Sequence, residues 1–66
     1  MASSDELREI ADAIAALAER LADLTLDTLR SQAHGNDDAK IAEKAFSSAR
    51  RSLIKAEMSV RGVARD

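Results

Sequence analysis

The first half of the chain carries apolar residues at alternating intervals of three and four positions. The series is Leu7, Ile10, Ile14, Leu17, Leu21, Leu24 and Thr28. This spacing places the side chains along one stripe of an α-helix and is typical of a helix that packs lengthwise against another. A second series of the same kind consists of Ala42, Phe46, Ala49, Leu53, Ala56, Val60 and Val63. The sequence therefore predicts two long amphipathic helices.

Short-range signals mark where these helices begin and end. Ser3 can cap the start of the first helix, and Glu6, three positions on, completes a capping box. Gly35 can adopt the left-handed conformation that ends a helix. Either Asn36 or Asp37 can then cap the second helix. The connection between the helices is therefore only a few residues long.

A link this short joins antiparallel neighbours, so the predicted fold is an all-α antiparallel helical hairpin. We expect one domain over residues 1–66, with helix 1 from about residue 4 to 33. The loop is expected over about 34–37, and helix 2 over about 38–62, ending near Gly62.

Each predicted helix is apolar over a wider arc than one neighbouring helix covers, about 160° on helix 1. A chain of 66 residues without cysteine also needs stabilisation from outside the hairpin. We therefore predict a homodimer in the form of a four-helix bundle, with a heteromeric partner as the alternative. The predicted oligomer interface consists of Ala11, Ala15, Ala18, Ala22, Leu26, Leu29, Ala45, Ser52 and Ser59.

A small apolar spot on helix 2 suggests contact with another protein. Ile54 and Met58 lie one turn apart and are surrounded by Arg51, Lys55 and Arg61. An apolar centre with a charged rim is typical of a protein-binding patch. The alternative, slightly favoured, is that Ile54 and Met58 belong to the core of the oligomer.

The preferred function is a small non-enzymatic protein–protein interaction module, such as an adaptor, inhibitor or regulatory subunit; a purely structural self-assembly element is a further alternative.

The two halves of the chain differ in charge. Residues 1–38 carry nine acidic residues and three arginines, whereas residues 39–66 carry seven basic and three acidic residues. A row of basic residues able to contact phosphates consists of Lys40, Lys44, Arg51, Lys55, Arg61 and Arg65. A nucleic-acid-binding regulator is therefore the second candidate function, which the net charge of −2 and the single aromatic residue disfavour. In size and topology, though in no motif, the predicted dimer resembles the Rop-type RNA-binding proteins.

The sequence predicts no catalytic, cofactor or metal site. His34 is the only imidazole, and with Asp37 and Asp38 it supplies too few ligands for a typical metal site. No run of about 18 apolar residues is present, so we expect no membrane association. We expect a soluble protein of the cytoplasm.

Overall fold

The structure, a computed structural model, describes residues 3–32, 35 and 37–64. This part of the chain contains helix α1, Ser4–Gln32, and helix α2, Asp37–Ala64. The helices pack against each other along their length and form a body of 49 × 14 × 14 Å. The prediction of an all-α fold with two packed helices is confirmed.

Two of the local signals at the helix ends, the Ser3 cap and the left-handed Gly35, act as the sequence predicts. The backbone N–H of Glu6 donates to Ser3 Oγ at 3.1 Å, and the N–H of Leu7 donates to the Ser3 carbonyl at 3.0 Å. Ser3 therefore satisfies N–H groups that the first turn of a helix leaves without partners. Gly35 has a φ of 81°, the left-handed conformation that favours glycine. Asn36 lies outside the described residues.

The end of α2 differs from the prediction, because the helix continues through Gly62 to Ala64. Ala64 is buried against α1, and its carbonyl accepts a hydrogen bond from Arg8 Nη2 at 3.2 Å. This contact with α1 extends the helix past a residue of low helix propensity. The predicted end of helix 1 at residue 33, and positions 34 and 36 of the predicted loop, lie outside the described residues.

Alanines occupy the centre of the contact between the helices. Ala11 and Ala18 are 0% and 6% exposed. On α1 a regular series of buried and half-buried residues consists of Ser4, Leu7, Ala11, Ile14, Ala18, Leu21, Thr25 and Thr28. The corresponding residues of α2 are Ala39, Glu43, Phe46, Leu53, Glu57, Val60 and Ala64. Small side chains at these positions allow the two backbones to approach closely.

Each helix is rotated about its long axis relative to the predicted packing, so that a neighbouring stripe of residues faces the other helix. Six residues that the sequence analysis placed between the helices are exposed: Ile10, Leu17, Leu24, Ala49, Ala56 and Val63. The physical reason is that α1 carries adjacent apolar columns, and the column that contains Ala11 and Ala18 permits the closer approach. The larger side chains are left at the edge of the contact.

The rotation also corrects part of the predicted oligomer interface. Ala11 and Ala18 retain almost no surface, so these two residues cannot contribute contact area to a second chain. Ala15 and Ala22 are half-buried. The remaining predicted interface residues are exposed: Leu26, Leu29, Ala45, Ser52 and Ser59.

Candidate interaction surfaces

One long side of the hairpin carries a series of apolar residues from both helices, here called the apolar strip. It consists of Ile10, Leu17, Leu24, Ala49, Leu53, Ala56 and Val63. Leu17 and Leu24 line a groove of about 330 Å³ together with Arg20, Leu21 and Leu53. Ala49 and Ala56 lie four positions before and three after Leu53, so they share its side of α2.

The two helices contribute side chains of different size to the apolar strip. Ile10, Leu17 and Leu24 recur every seven residues on α1 and are 47–49% exposed. Ala49 and Ala56 have the same spacing on α2, and both are exposed. The strip therefore has a ridge of large side chains on one helix and a row of small ones on the other.

The opposite side of the hairpin contains a wider depression, here called the basic groove. It has a volume of about 490 Å³ and is lined by Ala22, Thr25, Leu26, Ser47, Arg50 and Arg51. Leu26 is 56% exposed, and the exposed Leu29 lies almost one turn further along α1. The groove therefore combines an apolar wall on α1 with two cationic side chains on α2.

Arg50 and Arg51 take part in none of the ion pairs within the described residues. In contrast, Arg8 pairs with Asp5 at 3.3 Å, and Arg30 pairs with Asp27 at 3.4 Å. The two guanidinium groups of the groove thus form no ion pair with a described carboxylate, which favours an anionic ligand.

Arg61, predicted to be part of the partner patch, instead joins the two helices at the open end of the hairpin. Its Nε lies 2.8 Å from Glu57 Oε2, and its Nη2 lies 2.9 Å from Asp12 Oδ1. Hydrogen bonding to Glu57, and then to Asp12, raises the pKa of Arg61 above its ordinary value. The spacing of four positions between Glu57 and Arg61 is visible in the sequence. The pairing of Arg61 with Asp12 depends on how the two helices align, so the sequence does not show it.

The other residues of the predicted partner patch are distributed around α2. Arg51, Lys55 and Met58 are exposed, and Ile54 is half-buried. Of these, Arg51 lines the basic groove. The apolar centre of the patch is therefore Met58 with part of Ile54, and binding of a partner there stays a prediction.

The row of basic residues is only partly available for contact with phosphates. Lys40, Lys44, Arg51 and Lys55 are exposed. Arg61 is engaged with Asp12 and Glu57 as described above, and the last member of the row, residue 65, lies outside the described residues.

Residues 3–32, 35 and 37–64 contain no group of three or more acidic, histidine or cysteine side chains arranged to hold a metal ion. His34 lies outside these residues. Neither α1 nor α2 combines the length and the apolar character needed to cross a bilayer.

Comparison with known protein families, curated proteins and solved structures gave no match to this chain. The apolar strip and the basic groove are therefore the features from which a function can be argued. Both are suited by shape and chemistry to helices or other extended partners.

Proposed function

We propose that the chain is a small non-enzymatic protein–protein interaction module of the cytoplasm that acts as a homodimeric four-helix bundle. The observation that supports this proposal is the apolar strip, in which Ile10, Leu17 and Leu24 are about half exposed. Contiguous apolar surface of this kind is typical of a contact with another molecule. The strip extends along both helices, which matches the side-by-side packing of hairpins in a bundle.

A second copy is the occupant that fits this strip best, because the strip is complementary to itself. In a two-fold pair, the Ile10, Leu17 and Leu24 ridge of one protomer lies against the alanines of its partner, and the reverse contact forms at the same time. Large side chains placed against small ones interdigitate without leaving voids. Ala45, Ser52 and Ser59 flank Ala49 and Ala56 on the outer side of α2 and add small, exposed surface to this interface.

The dimer is tested by placing a charge in the middle of the strip. Leu17→Glu buries two carboxylates in the two-fold interface, and we expect the dissociation constant to rise by about 100-fold or more. Ala16→Glu introduces the same side chain at an exposed position outside the strip and should leave the dimer intact. Sedimentation velocity gives the assembly state, and circular dichroism checks that both variants stay helical. A Leu17→Glu variant that dimerises as tightly as the original chain would contradict the proposed interface.

A nucleic-acid-binding regulator is the second candidate function. It is favoured by the exposed side chains of Lys40, Lys44, Arg51 and Lys55, which take part in none of the described ion pairs. Titration with duplex RNA and DNA at two salt concentrations tests this candidate, since phosphate binding must weaken steeply as salt rises. Saturable, salt-sensitive binding that Lys44→Glu abolishes would support it.

A dimer that captures neither protein nor nucleic acid would instead indicate a purely structural self-assembly element.

A further inference from the structure

The basic groove stays accessible in the proposed dimer, because it lies on the side of the hairpin opposite the apolar strip. Leu17 and Leu53 line the groove within the strip, whereas Ala22, Leu26 and Arg51 line the basic groove. Its volume of about 490 Å³ lies within the range in which protein pockets accept side chains or small ligands, about 300–1,000 Å³. The groove is therefore available for a ligand different from the second copy.

The positive charge of the groove favours an anionic ligand. Arg50 and Arg51 line it and form none of the described ion pairs. Between residues 39 and 56 the only acid is Glu43, which accepts a hydrogen bond from Ser47 Oγ at 3.0 Å. Carboxylates of a ligand would find two unpaired guanidinium groups here, and such pairs orient partners and accelerate association.

The apolar wall of the groove favours a protein ligand over a nucleic acid. Ala22 and Leu26 line it, and the exposed Leu29 extends it toward the loop. A phosphate backbone has no large apolar group to cover these side chains, and the described part of the hairpin offers no exposed aromatic ring on which bases can stack. An amphipathic helix supplies both components, with an apolar side chain for the wall and carboxylates one turn away for the arginines.

The acidic outer face of another copy fits the groove less well. Its outward positions on α1 are Asp5, Glu9, Asp12, Ala16, Glu19, Asp23, Leu26 and Arg30, of which Leu26 is the only large apolar residue and lines the groove of its own hairpin. This face can meet the arginines, but its acidic part from residue 5 to 23 has no large apolar side chain to fill the space beside Leu26. A ligand from a different protein is therefore favoured over a contact between dimers.

We propose that the basic groove binds an acidic amphipathic helix of a partner protein. A large apolar side chain of that helix packs against Ala22 and Leu26, and its carboxylates pair with Arg50 and Arg51. This assignment rests on the proposed function as an interaction module and names the kind of partner that the module takes.

The proposal is tested with a fluorescent helical peptide of about 18 residues that has leucines along one face and glutamates beside them. Anisotropy titration of the full chain should show saturable binding. Arg51→Glu should weaken binding by about tenfold or more, because it removes a groove cation and repels the peptide. Ser48→Glu places the same acidic side chain at an exposed position of the same helix outside the groove lining and should change affinity by less than about twofold. A peptide with alanine in place of leucine should bind about tenfold more weakly than the leucine peptide.

Several results would overturn the proposed groove. They are the absence of saturable binding, equal losses for Arg51→Glu and Ser48→Glu, equal affinity for the alanine peptide, and displacement of the peptide by duplex DNA or RNA at lower concentration. Sedimentation of the same samples separates this proposal from the dimer. A dimeric chain that does not bind the peptide contradicts the groove alone, whereas a monomeric chain that binds it contradicts the apolar strip alone.

Discussion

At the scale of single residues, small side chains occupy the fully buried positions between the two helices. Ala11, Ala18, Ala39 and Ala64 are its buried apolar residues, and no large side chain among the described residues is fully buried. An alanine buries little apolar area, so each contributes little free energy of its own. Its effect is to let the larger neighbouring side chains of both helices reach the opposite helix. These positions should therefore tolerate no increase in volume.

Ala11→Leu should destabilise the hairpin by about 1–3 kcal/mol, because the added carbon atoms have no space at a position with no exposed surface. Ala16→Leu adds the same atoms at an exposed position and should change the free energy of unfolding by less than about 0.5 kcal/mol. Urea denaturation followed by circular dichroism measures both variants at one protein concentration. Equal effects of the two substitutions would contradict the observed alignment of the helices.

The two glycines should respond in opposite directions to the same substitution. Gly35→Ala forces a Cβ into the left-handed conformation at a φ of +81° and should destabilise the chain by about 1 kcal/mol. Gly62→Ala lies within α2, where an added Cβ meets no atom within 4 Å, and should stabilise it by about 0.5–1 kcal/mol. Thermal unfolding of both variants provides the measurement. A stabilising Gly35→Ala would show that the turn is not left-handed in solution.

At the scale of the helices, the features that depend only on residues nearby in the sequence could be predicted. The Ser3 cap and the turn at Gly35 are set by residues within a few positions, and both are observed. The choice of stripe cannot be predicted in this way, because Leu7 and Ile14 have an apolar column on each side. Which column faces α2 is decided by how closely the backbones approach, a property of the pair of helices.

The same limit applies to the candidate surfaces. Arg51 was predicted as a partner contact from its charge and its position beside Ile54 and Met58; it lines the basic groove, and contact with a partner stays a prediction. Arg61 was predicted in the same patch, but it pairs with Asp12 of the other helix. A pair of residues 49 positions apart in sequence is visible only once the two helices are aligned. Pairing between the helices could therefore not be predicted from the sequence.

Arg61→Ala should lower the melting temperature, because it removes the link between the helices and leaves the half-buried Glu57 without its partner. The loss should shrink at about 1 M salt, where exposed ion pairs are screened. Because pairing raises the pKa of Arg61, its stabilising effect is present at every pH below the ordinary pKa of arginine and is lost only in strong alkali. Arg30→Ala is the control, since Arg30 pairs only within its own helix. An equal loss in the control would contradict a linking role for Arg61.

At the scale of the whole molecule, the two long sides of the hairpin differ in chemistry. One side carries the apolar strip with its exposed Ile10, Leu17 and Leu24, and the other carries the basic groove with Arg50 and Arg51. A body only 14 Å across in two directions has a single layer of contact between its helices and no separate core. In the dimer that we propose, a second hairpin on the apolar strip would supply the missing layer and leave the basic groove free.

Sedimentation equilibrium of the unmodified chain at micromolar concentration tests this account most directly. We expect the fitted mass to be twice that of one chain, and to fall toward a single chain only on strong dilution. Circular dichroism on the same samples should show helicity decreasing together with dissociation. A chain that sediments with the mass of one copy while it keeps its full helicity would contradict the proposed bundle.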